Sequence, residues 1–369
     1  MTRRICFVCL RAYGYFDPAA AFTGGGAERQ IYLLSKALSD EFDVHVVVGD
    51  FGQPETERLE GVTLHRAYPL HDRENALQPL KHLLVLWSAM RRADADVYVH
   101  RGFLRAAGFT YLMARLLGAR WAFNLANDSH VTEEPAALPV PLRVLHRRAI
   151  RDSDAVVAQT ERQARGMRSE YGVEPHVVPN GYPPAEDPPG SDDRDGFLWV
   201  GRLAEDQKRP HLFLDLAERL PSESFRLAGP AEGNGEYARA VVDRAESLSN
   251  VEYLGLVPPE EIHDEYRRAR ALVSTSAYEG FPNTFLEAWR QGTPVVSLSV
   301  DPARYLGTDD AATGATGDLD ALVERCRRLA DDPEYWARLS RLGLSGFQDE
   351  YTIDAAARTY ASAIESALE

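Results

Sequence analysis

Apolar and polar positions along this chain fall into two recurring patterns. Short, nearly unbroken apolar runs appear first: ICFVCL within residues 3–10, then FDVHVVVGD, ADVYVHRG, RWAFNLAN, DAVVAQT and HVVPNG. Runs without a polar face are what strands of a parallel sheet covered on both sides require. Between them apolar residues recur at helical spacing, in segments ending near 39, spanning 104–117 and starting near 141. Strand and helix in alternation predict a parallel α/β sheet. The pattern breaks at PPAEDPPGSDDRDG, where proline, glycine and acid replace any apolar period. It resumes with FLWVG, a helix to 220, FRLAG, a helix to 247, VEYLG, ALVSTS, a helix from 282 and PVVSL. The expectation is two doubly wound domains, 1–183 and 197–346, joined by a linker at 184–196. A helix over 354–368, within a closing segment 347–369, has no strand after it. Ligands of such sheets bind beyond the carboxyl ends of the strands, so two of them facing across a cleft would share one active site.

A length of 369 residues suits two domains, and 44% hydrophobic with 26% charged residues is ordinary for a globular chain. The charge is not ordinary: 56 acidic against 41 basic residues give a net −15, which argues against nucleic acid as a partner. Lys36, Lys81 and Lys208 are the only lysines, so nearly every cation is Arg. An acidic surface emptied of lysine suggests a chain living in concentrated salt, where screening tolerates self-repulsion. A GC-rich genome would favour Arg as well. The apolar run of MTRRICFVCL is too short for a secretory leader, and no stretch reaches the length of a spanning helix. Cys6 and Cys9 form a C-x-x-C inside a strand, where residues three apart face opposite sides, so buried inert thiols are expected. The chain reads as cytoplasmic.

Three segments carry chemistry. In TSAYEGFPNTFLEAW, the strand ALVSTS leads through a turn to Pro282, placed as the first-turn proline of a helix. First-turn amides at Asn283, Thr284 and Phe285, with the helix dipole, make a phosphate site. Glu279 before the helix and Glu287 within it are hydroxyl acceptors suited to sugar or ribose. In VGRLAEDQKRP, Gly201 ends a strand and Arg202 and Lys208 follow it, two cations able to grip a pyrophosphate. Each is expected to contribute about one to two orders of magnitude in rate. In TGGGAERQ, Gly25 and Gly26 let backbone approach a ligand at a helix start. That segment is a poor dinucleotide fingerprint, because Arg29 stands where the final glycine would be.

Together these residues resemble the family-4 retaining glycosyltransferases of the GT-B fold, over nearly the whole chain and most strongly from Phe197 to Pro302. EGFPNTFLEAW is similar to the family's E-x7-E motif, VGRL with Lys208 to its donor-phosphate pair, GGGAE to its glycine loop, and VVPNG to the end of its first domain. The resemblance implies two Rossmann-like domains, with Arg202 and Lys208 on the donor diphosphate, Glu279 on the transferred sugar and Glu287 on the ribose. It also implies catalysis without metal or other cofactor, retention of anomeric configuration, and a terminal helix crossing back to the first domain. Two departures stand out. The Arg-to-Lys spacing is one residue longer than the common form, and the segment after SVDP is short.

In the first domain, Asn127, Asp128 and His130 follow a strand end, as do His100 and Arg101. His100, Arg101, Asn127 and Asp128 are candidates for the acceptor side, and His130 is a candidate catalytic residue. His130 suits a sugar hydroxyl, a phosphate or the ordering of its own loop, and Arg101 suits an acceptor phosphate. Arg143, His146, Arg147, Arg148 and Arg151 cluster beside Leu142 and Leu145, and a helix over 76–92 carries Leu80, Leu83, Leu84, Trp87 and Met90. Both are candidates for peripheral membrane contact, against the plainer reading of core packing. The activity expected is transfer of a sugar from a nucleoside-diphosphate donor to a glycan or lipid-linked acceptor, in cell-surface glycan or glycolipid synthesis. A GT-B-like sugar-nucleotide epimerase and a non-catalytic nucleotide-sugar-binding subunit are the alternatives.

Overall fold

The computed structural model describes residues 2–369 except 21–23, 71–77, 103, 189, 191–192, 232–234 and 311. Residues 23, 76, 77 and part of 184–196 from the segments above therefore lie outside the described residues. Contacts divide the chain into one unit of 1–181 with 353–369 and another of 182–352.

The first unit runs β1 (Arg4–Val8), α1 (Tyr13–Phe16), α2 (Gly26–Leu38), β2 (Asp43–Val48), β3 (Thr56–Leu59), β4 (Val62–Arg66), α3 (Gln78–Ala93) and β5 (Val97–Arg101). It continues through α4 (Leu104–Leu116), β6 (Arg120–Asn124), α5 (Glu133–Ala137), α6 (Val140–Arg151), β7 (Ala155–Ala158), α7 (Glu161–Tyr171) and β8 (His176–Val177). The strand order is β3-β4-β2-β1-β5-β6-β7-β8. All neighbours are parallel except β3 with β4, a hairpin the apolar runs do not announce. Its turn is Glu60-Gly61, both at positive φ, the geometry of a two-residue hairpin turn. Side chains alternate across the sheet: Ile5 and Phe7 pack with α1 and α2, Cys6 and Val8 with α3, α4, α6 and α7. Cys6 and Cys9 thus face opposite layers, and burial pushes both thiols up.

The second unit runs β9 (Asp195–Val200), α8 (Pro210–Arg219), β10 (Phe225–Ala228), α9 (Gly235–Ser247), β11 (Val251–Gly255), α10 (Ile262–Arg268) and β12 (Ala269–Ser274). Then follow α11 (Asn283–Arg290), β13 (Val295–Ser297), α12 (Ala303–Leu306), α13 (Leu319–Asp331) and α14 (Pro333–Glu350). Its sheet is parallel throughout, in the order β11-β10-β9-β12-β13. After the short segment that follows SVDP, the amides of Thr316 and Gly317 bond the carbonyls of Ser297 and Leu298, a two-residue addition beside β13. The last helix, α15 (Ile353–Leu368), belongs to the first unit. Ile353, Ala356, Ala357, Tyr360 and Ile364 complete the layer over β1 and β5–β7. Both units are doubly wound Rossmann-like sheets, the architecture of the GT-B fold.

Candidate functional site

The chemistry-bearing segments of the second unit converge at the carboxyl ends of β9 and β12. Lys208 Nζ lies 2.5 Å from Glu279 Oε1, and the two side chains are only 17% and 11% exposed. The loops that carry them are joined by backbone as well. The Lys208 carbonyl accepts from Thr275 Oγ1 at 2.7 Å, and Thr275 Oγ1 in turn accepts from Trp199 Nε1 at 2.9 Å. Ala277 N donates to the Gln207 carbonyl at 2.8 Å. The extra residue between Arg202 and Lys208 is taken up in a turn in which both Lys208 N and Arg209 N reach the Ala204 carbonyl. Gln207 accepts from Arg202 Nη2 and donates to the Tyr278 carbonyl, each at 3.4 Å. Arg202 itself is exposed.

Arg209 is the residue that sequence reasoning missed. It caps α8 in the left-handed region, φ +49, strained for a residue with a side chain. Its Nε donates to the Thr275 carbonyl at 2.8 Å and its Nη2 to Ser299 Oγ at 2.7 Å, so it ties the ends of β12 and β13 to the cationic loop. The chain held a partial signal: Pro210 disfavours the ordinary helical conformation at its predecessor, without itself selecting the left-handed one.

Two glycines shape the strand ends. A Cβ on Gly229 would fall 1.9 Å from the Gly201 carbonyl, and one on Gly201 would press on the Trp199 ring at 3.1 Å. Backbone alone fits where β9 and β10 end.

At α11 the structure corrects two details. Pro282 is the cap before the helix rather than its first residue, and the Phe285 amide is already bonded to the Pro282 carbonyl at 2.9 Å. Of the three amides expected to meet a phosphate, Phe285 is therefore engaged; Asn283 and Thr284 are half-exposed residues at the helix start. Glu287 is buried, at 5% exposure, and its Oε2 accepts from Tyr266 of α10 at 2.9 Å. The eight-residue separation places Glu279 at the mouth and Glu287 inside, a difference the spacing alone conceals.

In the first unit the expected groups split. Gly25 precedes α2 and its amide donates to Glu28 Oε2 at 2.8 Å; Gly26 opens the helix. Gln30, on the buried face of α2, exchanges two 3.1 Å hydrogen bonds with the backbone of Gly181 at the end of VVPNG. Arg101 is buried and donates to Asn180 Oδ1 at 2.9 Å, with Gln159 in the same cluster. His100 does not join it. That ring sits in the layer between sheet and α4, bonded to Thr110 and stacked with Trp121. His130 is buried with Nδ1 accepting from the Ala126 amide at 3.3 Å and Nε2 facing Glu134 at 3.5 Å. Burial holds its pKa below the usual imidazole value, against the pull of Glu134, and the Ala126 contact ties the ring to its own loop. Asp128 is held by Gln163 at 3.0 Å and by Arg162, and burial raises its pKa; Asn127 caps the short turn that carries them.

Comparison with known proteins concerns the family and the fold. The family model "Glycosyltransferase Family 4" matches residues 24–186, and "Glycosyl transferases group 1" matches 194–332. A D-inositol 3-phosphate glycosyltransferase of Kineococcus radiotolerans is 27% identical over 302 residues, 68% of each chain. The mannosylfructose-phosphate synthase of Agrobacterium fabrum is 34% identical over 181 residues, 42% of this chain and 40% of that one. This chain matches between 62% and 68% of the length of three D-inositol 3-phosphate glycosyltransferases. Among solved structures, Anabaena HepE in complex with UDP and glucose superposes with a TM-score of 0.77 at 16% identity, covering 99% of this chain and 100% of that one.

Proposed function

Because this chain belongs to the family-4 glycosyltransferases of the GT-B fold, we propose that it transfers a sugar from a nucleoside-diphosphate donor to an acceptor hydroxyl with retention of anomeric configuration. The observation that carries the reading is the Lys208–Glu279 contact, two residues 71 positions apart whose loops are stitched together at one end of the sheet. Lys208 and Arg202 hold the donor diphosphate and stabilise the charge that develops as it leaves. Glu279, beside Lys208, accepts hydrogen bonds from hydroxyls of the transferred sugar. Glu287, its carboxylate fixed by Tyr266, meets the ribose. The amides of Asn283 and Thr284 add the positive end of α11.

Retention follows from a same-face displacement. The bond from C1 to the phosphate oxygen breaks, the acceptor oxygen bonds to C1 from the same side, and the acceptor proton passes to the departing phosphate. Such a route asks the protein for charge stabilisation and positioning, both of which the site supplies, and calls on no metal. The acceptor side is assigned to the loops around Arg101, Asn127 and Asp128. Three buried, unpaired thiols suit the reducing cytoplasm, and the acidic, lysine-poor composition suits concentrated salt. The setting we favour is cell-surface glycan or glycolipid synthesis.

The test is a thermal-shift panel of UDP, GDP and ADP with their common sugars, in concentrated KCl, on wild type and Lys208→Ala. A ligand at 100 times its dissociation constant adds about 2.7 kcal/mol of stability. A shift with one base that weakens in the variant identifies the donor; D-inositol 3-phosphate then joins the acceptor panel, and NMR of the product reads the anomeric outcome. No shift with any nucleotide, from folded protein, would remove the donor-site assignment.

A further inference from the structure

Three neighbouring helices of the first unit carry no acidic residue. α3, α4 and α6, of 16, 13 and 12 residues, contain no Asp or Glu, in a chain that has 56. Every other helix of eight or more residues has at least one. The same three helices hold three, two and four Lys or Arg respectively. They lie side by side on one face of the sheet, α3 against α4 and α4 against α6. Gly108 permits the closest approach, since a Cβ there would sit 2.6 Å from Leu145 Cγ.

The outer side of this layer is apolar where a surface ought to be polar. Among the described residues eight large hydrophobic side chains are exposed, and six of them are on these helices. They form three i,i+4 pairs, Leu80 with Leu84, Leu112 with Leu116 and Val140 with Val144, each residue between 43% and 78% exposed. Residues at that spacing share one helix face.

We propose that the outer face of α3, α4 and α6 docks on an anionic lipid bilayer. Its leucines and valines enter the headgroup boundary, and Lys81, Arg105, Arg143 and Arg147 meet the anionic headgroups. Charge complementarity selects this occupant. Within the screening length of an anionic surface, acid on the contacting face is repelled, so in a chain of net charge −15 the face from which acid has been removed is the one that can approach, and it sets the orientation. Acid returns at the edges of the layer, with exposed Glu133 and Glu134 ahead of α6, and with Asp152 after it in an ion pair to Arg148 at 2.9 Å. In crossovers between parallel strands the helix starts lie at the carboxyl ends of the strands, so Leu80, Leu84, Val140 and Val144 sit at the ligand-binding end of the sheet. For the transferase reading this makes a lipid-linked acceptor the substrate class; the docking does not depend on that reading.

The experiment is co-sedimentation of the full chain with phosphatidylcholine vesicles, neat or containing about one third phosphatidylglycerol, at about 0.1 M salt. Two variants run alongside: Leu80→Ser/Leu84→Ser/Val140→Ser/Val144→Ser, and Lys81→Gln/Arg105→Gln/Arg143→Gln. Thermal unfolding verifies that each is folded. Binding about tenfold stronger to the anionic vesicles, reduced about tenfold in both variants, is expected. Overturning results are failure of folded wild type to bind, binding unaffected by the apolar substitutions, or a concentration-dependent dimer lost in the serine variant, which would make a second copy of this chain the occupant. None of these readouts involves sugar transfer, so they stand or fall apart from the proposed activity.

Discussion

Lys208 and Glu279 meet at 2.5 Å at the mouth of the second sheet, cation and carboxylate largely withdrawn from water. In the free protein each is the other's partner, and an incoming diphosphate must compete for the ammonium. Glu279→Gln removes that competition. The nucleoside diphosphate that wild type recognises is expected to bind the variant several-fold tighter, by about 1 kcal/mol, while sugar transfer falls by about two orders of magnitude. Calorimetry and a single-turnover assay check the two halves. Equal losses in both would show that Glu279 serves diphosphate binding as well.

Gly229→Ala tests the close approach of β9 and β10. The new methyl would meet the Gly201 carbonyl at 1.9 Å, backbone that cannot swing aside. A loss of about 3 kcal/mol is expected in urea unfolding, with nucleotide binding weakened in parallel.

Tyr266→Phe leaves the buried Glu287 carboxylate without its 2.9 Å hydroxyl donor. A cost of about 1–3 kcal/mol is expected, larger than that of an exposed tyrosine such as Tyr278. Denaturation of the two phenylalanine variants side by side gives the comparison. Donor affinity should fall only in the first.

Of the buried histidines with depressed pKa, two are pushed down furthest and are expected to weigh most on acid unfolding. His65 is pushed down to about 4, chiefly by burial and then by His45, with which it shares a 2.7 Å hydrogen bond. His146 is also pushed down to about 4, by burial, and neither of its ring nitrogens has a hydrogen-bond partner among the described residues. Both are neutral when folded and take up a proton on unfolding below about pH 6.5. Their contribution is complete above that pH and is lost as pH falls toward 4, with a slope approaching about 1.4 kcal/mol per pH unit for each. His146→Leu should flatten the slope by about one proton and raise stability at pH 7 by about 1 kcal/mol. Urea midpoints between pH 7 and 4 decide it.

Added KCl should raise the thermal midpoint by about 5 °C or more, because screening relieves the repulsion of a net −15. A flat or falling midpoint would point to genome composition as the source of the arginine bias.

The succession of strands and helices was legible in the sequence, because a strand buried on both faces needs an unbroken apolar run and a crossover helix needs a 3.6-residue period. The β3–β4 hairpin was not, since Thr56–Leu59 is a half-exposed edge strand with no such run. Its turn, Glu60-Gly61, was the one local clue.

Within the site, residue types and spacing marked Arg202, Lys208, Glu279 and Glu287, because phosphate and hydroxyl recognition demand cations and carboxylates near strand ends. Which of them touch was decided only by the tertiary structure. Lys208 and Glu279 are brought together by strand order, with β9 beside β12, and no local pattern encodes that adjacency. The same holds for burial. His100 and His130 both follow apolar runs, yet one is packed against Trp121 and the other ties down a loop, since side-chain environment depends on which helix covers which face. The acid-free layer is the converse case. Its composition was written in three separate segments, but only folding set α3, α4 and α6 side by side and made one surface of them.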